Sequence, residues 1–339
     1  MNRAYLVQTL ELLKPALAAN DTIPIFQCFC FESGNVSAYN DTIGIVGPSE
    51  FEGNAGIHGN TLLGLLSASS AEEVELELGD KDVTLTMGKA VSTLPFNPAE
   101  NYIFKEPSFS EDDERLPLTQ SFMEALSMCL DTVSNDETQP KLHGITLSKN
   151  KMFSCNGDTV TQVGIKAGSK AEVFLPTPFC AALAKLWSSL TLTKGELVIS
   201  DKWLYAKFEE WSLYGQLLEI TDPIDFGSLI KRTVKHKIDL LAVPDGLSEA
   251  LSRAKVLADP ESQRTEVVLS KGKMTLFTST HMGDVEDILP FKGHPDVRAN
   301  VNASHLQRAL EHCDQMAVHE NCVVFEKAPN IMLLVSNME

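Results

Sequence analysis

The sequence predicts an α+β fold built from three similar domains, and three observations support that prediction. Pairs of helix-like segments recur at a constant interval, and strand-like runs around tight turns lie between them. Strands grouped around single helices at regular intervals are typical of α+β proteins. The length of 339 residues agrees with two or three domains of about 100–200 residues each.

The helix-like segments carry apolar residues at helical spacing, such as Leu6, Leu10 and Leu13 in the first of them. Three of these segments open the predicted domains, and they begin at Asn2, Thr119 and Gly246. A second segment follows 58 residues later in every copy, beginning at Asn60, Thr177 and Ser304. Such self-similarity predicts a threefold domain repeat.

The strand-like runs also recur once per predicted domain. Each reads as two strands around a short turn, in the stretches VELELGDKDVTLTMG, GELVISDKWLYAKFEE and TEVVLSKGKMTLFTS. The hydrophilic stretches SEDDERLP and KRTVKHK lie near the predicted boundaries. The predicted domains are therefore residues 1–115, 116–232 and 233–339.

Composition narrows the function classes. Hydrophobic residues make up 43% and charged residues 22%, as in ordinary globular proteins, and no apolar run approaches the about 18 residues of a membrane span. The N-terminal segment reads as an amphipathic helix rather than a signal sequence, because Glu11 and Lys14 interrupt its apolar residues. Seven cysteines without framework spacing favour a reduced, cytoplasmic protein.

The net charge of −18 argues against nucleic-acid binding by the whole surface, but not by a local group of cations. The predicted helices hold six acidic residues and six basic ones. The basic residues are Arg3, Lys14, Lys185, Arg253, Lys255 and Arg308. The acidic excess therefore lies outside the helices. Neutral helices within an acidic protein suit sequence-independent phosphate contacts, although they also arise by chance.

Several short motifs, in this order, resemble the β sliding clamp of bacterial replicative DNA polymerases, the DNA polymerase III beta subunit. They are NDTIPIF (20–26), VSTLP (91–95), KLHGITL (141–147), SCNGDTV (154–160), DPIDF (222–226) and VNASHLQRAL (301–310). Each motif is weak alone, and the joint signal comes from their order on a threefold repeat. A divergent or phage-encoded member of the family fits these motifs.

The resemblance implies a homodimeric ring of six domains, with helices lining the hole and sheets outside. Such a ring is a processivity factor for DNA replication: it encircles duplex DNA and tethers the replicative polymerase. A separate clamp loader would place it there, and no enzymatic activity, cofactor, metal or membrane is implied. The helix-borne cations would face DNA together with Asn20, which stands where the family has an arginine.

The family binds its partners through short peptides that enter an apolar pocket between domains 2 and 3. The matching positions here are Leu142, Cys155, Gly157, Asp158, Val160, Pro223, Leu229, Asn302, His305, Ile331 and Leu333. His305 replaces an aromatic residue, and Asp158 stands where relatives carry a basic residue. The implied dimer contacts are Val91, Val256 and Leu257. Ordinary core packing is the alternative for these apolar residues.

Two other functions stay open. Cys155, with Asn156 and Asp158 beside it, is a candidate nucleophile, but a nearby carboxylate raises the pKa of a thiol. Asn156-Gly157 instead reads as a turn in which glycine supplies a positive φ, after a strand with Met152 and Cys155. No phosphate-loop or zinc motif is present. The other alternative is a scaffold of the same fold that binds partner peptides without encircling DNA.

Overall fold

The structure is a computed structural model that describes residues 1–19, 23–136, 138–234, 239–260, 262–327 and 330–338. These residues divide into two compact units. Unit 1 comprises residues 1–123 and 175–218, and unit 2 comprises residues 124–174 and 219–339. Among the described residues, no helix combines the length and the apolar character needed to span a membrane.

The described residues form seven α-helices. They are α1 (Arg3–Leu13), α2 (Gly59–Ala68), α3 (Gln120–Leu130), α4 (Thr177–Ser189), α5 (Phe226–Thr233), α6 (Leu247–Leu257) and α7 (Ala303–Leu310). Six begin within a few residues of the predicted positions. The sequence prediction missed α5.

Twenty-three strands in the described part of the chain alternate with these helices. The strands of the first repeat are β1 (Cys28–Glu32), β2 (Asn35–Tyr39), β3 (Ile43–Pro48), β4 (Ala55–His58), β5 (Glu75–Leu78), β6 (Asp82–Met87) and β7 (Ala90–Asn97). Those of the second are β8 (Glu114–Leu118), β9 (Gly144–Ser148), β10 (Lys151–Cys155), β11 (Thr159–Gly164), β12 (Val173–Pro176), β13 (Gly195–Ile199), β14 (Trp203–Phe208) and β15 (Trp211–Gln216). Those of the third are β16 (Leu241–Ala242), β17 (Arg264–Ser270), β18 (Lys273–Thr280), β19 (Gly283–Pro290), β20 (Val297–Asn302), β21 (Gln315–Val318), β22 (Cys322–Lys327) and β23 (Ile331–Ser336).

The order of elements repeats three times, which confirms the α+β repeat. Each repeat has two halves, and each half contains a helix followed by three strands that form a meander. The first halves contain β1–β3, β9–β11 and β17–β19, and the second halves contain β5–β7, β13–β15 and β21–β23. The domain limits at residues 115 and 232 stay a prediction.

The strands of the described residues form three antiparallel sheets. One has the strand order β5-β6-β7-β4-β1-β2-β3-β15-β14-β13-β8, and a second has the order β12-β9-β10-β11-β23-β22-β21-β16. The third has the order β19-β18-β17-β20. The first sheet joins repeats one and two through β3 and β15, and the second joins repeats two and three through β11 and β23. We call these two strand pairs the internal junctions.

Two of the strand edges that have no partner stand at complementary positions in the repeat. Among the described residues, β19 ends its sheet and pairs only with β18. Residues Ala90–Pro95 of β7 pair with β6, while β4 reaches only Phe96 and Asn97 on the other side. An unpaired edge exposes main-chain N–H and C=O groups that favour pairing with a further strand.

Local sequence explains the helix starts. Asn2 caps α1 by accepting the N–H of Tyr5, and Asn302 caps α7 by accepting the N–H of His305. Gly246 precedes α6 with a φ of 84°, a conformation that glycine adopts without strain. Leu6, Leu10 and Leu13 are buried along one face of α1, as the helical spacing predicts.

Candidate functional site

An apolar cluster in unit 2 contains several of the predicted pocket residues. Leu142, Cys155 and Val160 are buried in it, together with residues that the sequence did not point to: Phe226, Cys322, Val324 and Leu334. Leu229 packs against this group and is partly buried, as are Phe153 and Met332. We call this set the unit 2 apolar cluster. It combines residues from β10, β11, β22, β23 and α5.

Helix α5 packs against the cluster and covers it. Asp225 caps this helix by accepting the hydroxyl of Ser228 at 2.6 Å and its N–H at 2.9 Å, and these hydrogen bonds lower the pKa of the Asp225 carboxyl. The next residue, Phe226, stacks on Phe153 of β10 with ring centroids 4.9 Å apart. Stacked aromatic pairs are favourable beyond the area they bury, so this contact ties α5 to the sheet.

The turn at residues 156–158 ends β10 beside the cluster. The side-chain oxygen of Asn156 accepts the N–H groups of Asp158 and Thr159, at 3.1 and 2.8 Å. Gly157 has a φ of 98°, which confirms the predicted turn. The exposed Asp158 accepts the N–H of Ser336 through its main-chain oxygen at 2.7 Å, so the turn is tied to the C-terminal segment.

Cys155 is a wall residue of the cluster, not a poised nucleophile. Burial raises the pKa of its thiol, and Asp158 raises it further, while a hydrogen bond from the N–H of Gly157 lowers it. A raised pKa keeps the sulfur protonated, whereas nucleophilic cysteines react as thiolates. The side chain is 6% exposed, which suits a small apolar surface under a covering segment.

The structure places two predicted wall residues on the opposite face of β23. Leu333 is buried in the core of the third repeat, and Ile331 packs against that same core. Their neighbours Met332 and Leu334 face the unit 2 apolar cluster instead. Side chains alternate between the two faces of a strand, so Ile331 and Leu333 lie on the face of β23 away from the unit 2 apolar cluster.

The remaining pocket candidates, Pro223, Asn302 and His305, are not among the residues that form the cluster. Pro223 is exposed and follows Asp222, which forms an ion pair with Lys141 at 3.9 Å. Asn302 donates a hydrogen bond through its side-chain nitrogen to the oxygen of Ser262 while capping α7. Burial lowers the pKa of the His305 imidazole, although the charge of Asp158 raises it. His305 and Asp158 are therefore electrostatic neighbours.

Three of the predicted DNA-facing cations bind carbonyl groups near helix C-termini. Arg3 donates to the oxygens of Leu66 and Ala71 at 3.0 and 2.7 Å, at the end of α2 and just beyond it. Lys185 donates to the oxygen of Glu11 in α1, and Arg308 to that of Asp131 at 2.6 Å, just after α3. Carbonyls of a last helical turn lack partners within the helix, so these contacts stabilise helix ends.

The other cations pair with side chains. Lys14 lies 3.5 Å from the carboxylate of Glu11, Arg253 makes a two-pronged contact with Asp287, and Lys255 donates to Gln307 at 2.9 Å. Burial lowers the pKa of the Lys185 ammonium. Asn20 lies outside the described residues. The structure thus gives all six described cations protein partners.

The predicted dimer-contact residues lie largely at the surface. Val91 on β7 is 65% exposed, and Val256 near the end of α6 is 76% exposed. Leu257 is partly exposed. Exposed apolar side chains of this size on an open strand edge and a helix end are typical of an interaction surface.

Solved structures with the same arrangement are bacterial replication proteins. A sliding clamp of Bartonella birtlesii, described as DNA polymerase III subunit beta, aligns with a TM-score of 0.88 at 17% identity, over 100% of this chain and 98% of that one. The DNA polymerase III beta subunit of Thermotoga maritima and a sliding clamp of Pseudomonas aeruginosa align with TM-scores of 0.85 and 0.84, each at 17% identity with the same coverage.

The chain has the sliding-clamp fold. No protein-family model matches the sequence, and no curated protein matches it. The structural alignments over the full length of the chain confirm the resemblance seen in the short motifs.

Within the sliding-clamp fold, sequence reasoning missed the contribution of α5 to the cluster. The signal was present: Asp225 is a favourable N-cap, and Phe226, Leu229 and Ile230 follow at helical spacing. The basic residues Lys231 and Arg232 in the last turn made this stretch resemble a hydrophilic link. They also lie where cations stabilise a helix end.

Proposed function

We propose that this protein is a DNA sliding clamp. Two chains of three domains each, with limits near residues 115 and 232, close head to tail into a ring around duplex DNA. The ring tethers the replicative polymerase and other partners through peptides that dock at the unit 2 apolar cluster. The likeness to clamp structures supports the fold, and the open strand edges carry the proposal of ring closure.

The two internal junctions follow one rule. The last strand of a first half pairs with the last strand of the next repeat's second half: β3 with β15, and β11 with β23. In the described residues, β19 and β7 are the strands of these two kinds that lack such a partner. A second copy of the chain supplies the missing strand for each. Because the two contacting surfaces differ, the contact is head to tail.

The internal junctions also predict the register of this contact. Val46 pairs with Ser212 in one junction, and Gln162 pairs with Met332 in the other. Counted from the turn between the first two strands of each first-half meander, Ser37, Phe153 and Thr275 correspond, so their strand partners Val46, Gln162 and Ile288 correspond as well. Counted from the turn between the last two strands of each second-half meander, Ser212, Met332 and Val91 correspond. The expected contact therefore sets Ile288 of one protomer opposite Val91 of the other.

Burial agrees with that register. Ile288 is 56% exposed, and Val91 is 65% exposed. Along β19, exposed residues alternate with partly buried ones, and Asp284, Glu286 and Ile288 are on the exposed side. In the derived register these three face Pro95, Thr93 and Val91, which are exposed on β7. Exposed positions thus meet exposed positions, whereas a shift by one residue would oppose exposed to buried faces.

Helix α6 offers a further apolar surface to the same contact. Val256 lies ten residues after the N-cap Gly246, and Leu12 lies ten residues after the N-cap Asn2 of α1. Leu12 is 3% exposed, whereas Val256 is 76% exposed. A partner helix would bury Val256 and Leu257 beside the strand pair.

Contact with DNA rests on the cations of the helices. A guanidinium group has five N–H donors, and the described contact of Arg308 with Asp131 uses one of its nitrogens. The remaining donors are available to a phosphate, as are further donors on Lys185. A few such contacts give sequence-independent binding, which suits sliding, while the acidic remainder of the surface repels DNA.

Two alternative functions have different support. The engagement of all six described cations with protein groups favours a scaffold of clamp fold that binds peptides without encircling DNA. An enzyme dependent on Cys155 has less support, because the thiol is buried and its pKa is raised.

The deciding experiment compares topological states of DNA. The protein, with a clamp loader and ATP, is placed on a nicked circular plasmid and separated from free protein by gel filtration. We expect it to stay on the circle and to be released when a restriction enzyme cuts the plasmid. Equal retention on circular and linear DNA, lost together as salt increases, would show ordinary electrostatic binding instead. Retention on neither, with peptide binding intact, would favour the scaffold.

A further inference from the structure

A cavity lies in unit 1, at the repeat position that corresponds to the unit 2 apolar cluster. Counted from the hairpin turns, Tyr39 corresponds to Cys155 and Ser37 to Phe153. The cavity has a volume of about 490 Å³, within the range of pockets that hold small ligands or a few side chains. Strands β1–β3 form its floor, and residues 102–106 cross over it.

A change in side-chain size explains why this position is open. In the second repeat, Phe153 fills the space above the sheet and stacks on Phe226. Ser37 stands at that position in unit 1, and its hydroxyl donates to the oxygen of Cys30 at 3.4 Å. The smaller side chain leaves the floor of the cavity unfilled.

The crossing segment is held by side chains at both ends of the cavity. The hydroxyl of Tyr102 donates to the oxygen of Phe31 at 3.1 Å. The ring of Phe104 lies against the Cα of Gly44, where an added Cβ would be 2.9 Å from the ring. Glu106 accepts the hydroxyl of Tyr214 at 2.6 Å. The segment is thus fixed above an open space.

Aromatic rings form much of the wall. Phe26 and Tyr39 meet edge to face with centroids 5.4 Å apart, and Tyr39 stacks on Phe104 at 4.9 Å. Tyr102 completes this wall. The faces of aromatic rings carry partial negative charge, so such a wall attracts cations.

The charged residues at the rim are mainly acidic. Glu32 and Glu106 line the cavity and are exposed, and Lys105 is the single basic residue among the lining residues. Burial raises the pKa of the Tyr102 hydroxyl, and the negative charge of Glu32 adds to this effect. Aromatic faces and carboxylates therefore surround the same space.

We propose that this cavity is a second docking site, which takes an arginine or lysine side chain presented by a short peptide segment of a partner protein. Arginine fits best, because its planar guanidinium stacks on aromatic rings and makes two parallel hydrogen bonds to a carboxylate. The proposal needs neither a ring nor DNA, so it stands independently of the sliding-clamp function.

The test uses defined peptides and calorimetry. Acetyl-Leu-Arg amide is titrated into the full chain beside acetyl-Leu-citrulline amide, which has nearly the same shape without the charge. We expect the arginine peptide to bind about tenfold more tightly. Glu32→Gln removes one exposed carboxylate and should weaken the arginine peptide about tenfold, while leaving the citrulline peptide unchanged.

A filling variant locates the binding. Ser37→Phe introduces the side chain that Phe153 has at the corresponding position of the second repeat. It should fill the cavity and abolish binding of the arginine peptide, whereas Ser37→Ala should retain binding. Circular dichroism checks that both variants are folded. Absence of arginine-peptide binding by the unaltered chain would overturn the proposal. So would equal affinity for the citrulline peptide, unchanged affinity in a folded Ser37→Phe variant, or free arginine binding as tightly as the peptide.

Discussion

The ammonium group of Lys185, on α4, donates a hydrogen bond to the main-chain oxygen of Glu11, near the end of α1. The two residues are 174 positions apart in the sequence and belong to adjacent repeats. Arg308 makes the corresponding contact with the oxygen of Asp131. Both cations thus connect helices of repeats that the internal junctions also connect through strands. Their role in stabilising these connections is separate from any contact with phosphate.

Replacing Lys185 by methionine should lower the free energy of unfolding by about 1–2 kcal/mol, because the oxygen of Glu11 loses a charged donor. Urea denaturation measures the effect. Lys14→Met is the matched control, since Lys14 forms only an exposed ion pair with Glu11, and such pairs contribute about 0–1 kcal/mol. An equal decrease in the free energy of unfolding of the two variants would mean that the contact between Lys185 and Glu11 contributes no more than an exposed ion pair.

The register proposed for the contact between two copies of the chain predicts a specific disulfide. Paired residues on antiparallel strands have Cα atoms about 4.5–5.5 Å apart, within the range that a disulfide bridges. Val91→Cys combined with Ile288→Cys should therefore give a covalent dimer on mild oxidation, seen as a shifted band on non-reducing gels. The seven native cysteines are buried and should not compete.

The control for this disulfide combines Val91→Cys with Asp284→Cys. Position 284 lies on the same exposed side of β19, but four residues, about 13 Å, from the derived partner position. We expect little cross-linking by this pair. Equally efficient cross-linking by both pairs would contradict the register, and none by either would contradict the strand contact.

The face assignment on β23 separates peptide binding from stability. Met332→Ala shortens a side chain of the unit 2 apolar cluster and should weaken a peptide derived from the replicative polymerase about tenfold, as measured by calorimetry. Leu333→Ala creates a cavity in the core of the third repeat and should lower the free energy of unfolding by about 2–5 kcal/mol while leaving affinity unchanged. Weaker peptide binding by Leu333→Ala, with a loss of stability in Met332→Ala instead, would support Leu333 as the pocket residue.

Gly157 and Gly64 allow a matched comparison of backbone conformation. A Cβ would meet no atom within 4 Å at either position. Gly157 has a φ of 98°, so Gly157→Ala should destabilise the protein by about 1–2 kcal/mol. Gly64 is exposed on α2, so Gly64→Ala should stabilise it by about 0.5–1 kcal/mol. Thermal denaturation of the two variants checks both signs, and a neutral Gly157→Ala would mean that the turn relaxes without strain.

Much of the fold follows from local pattern. The N-cap residues Asn2, Thr119 and Gly246 begin helices as predicted, and Asn156-Gly157 forms a turn because its chemistry is local. Contacts between segments that are far apart in the sequence do not follow from local pattern. The family resemblance pointed to Leu333 rather than Leu334. The alternation of residues along β23 shows that the strand has two faces, but not which of them α5 covers.

The roles of the cations were also beyond local reasoning. Lys185 and Arg308 stand on helix surfaces, where a count of charges assigns them to solvent or phosphate. Their carbonyl partners lie more than 170 residues away in the sequence, and only the packing of helices between repeats brings them together. Placement of Val91 on an open edge likewise depends on the strand order of the whole sheet.

The open edges of β7 and β19 constrain how the chain can assemble. Two unlike, complementary edges on one molecule can propagate without limit, as in a fibre, unless the rotation from one copy to the next returns the last edge to the first. The curvature contributed by each repeat therefore decides between a closed particle and a growing polymer. For the proposed head-to-tail dimer, a substitution that flattens an internal junction, far from either edge, should give aggregates whose length increases with protein concentration.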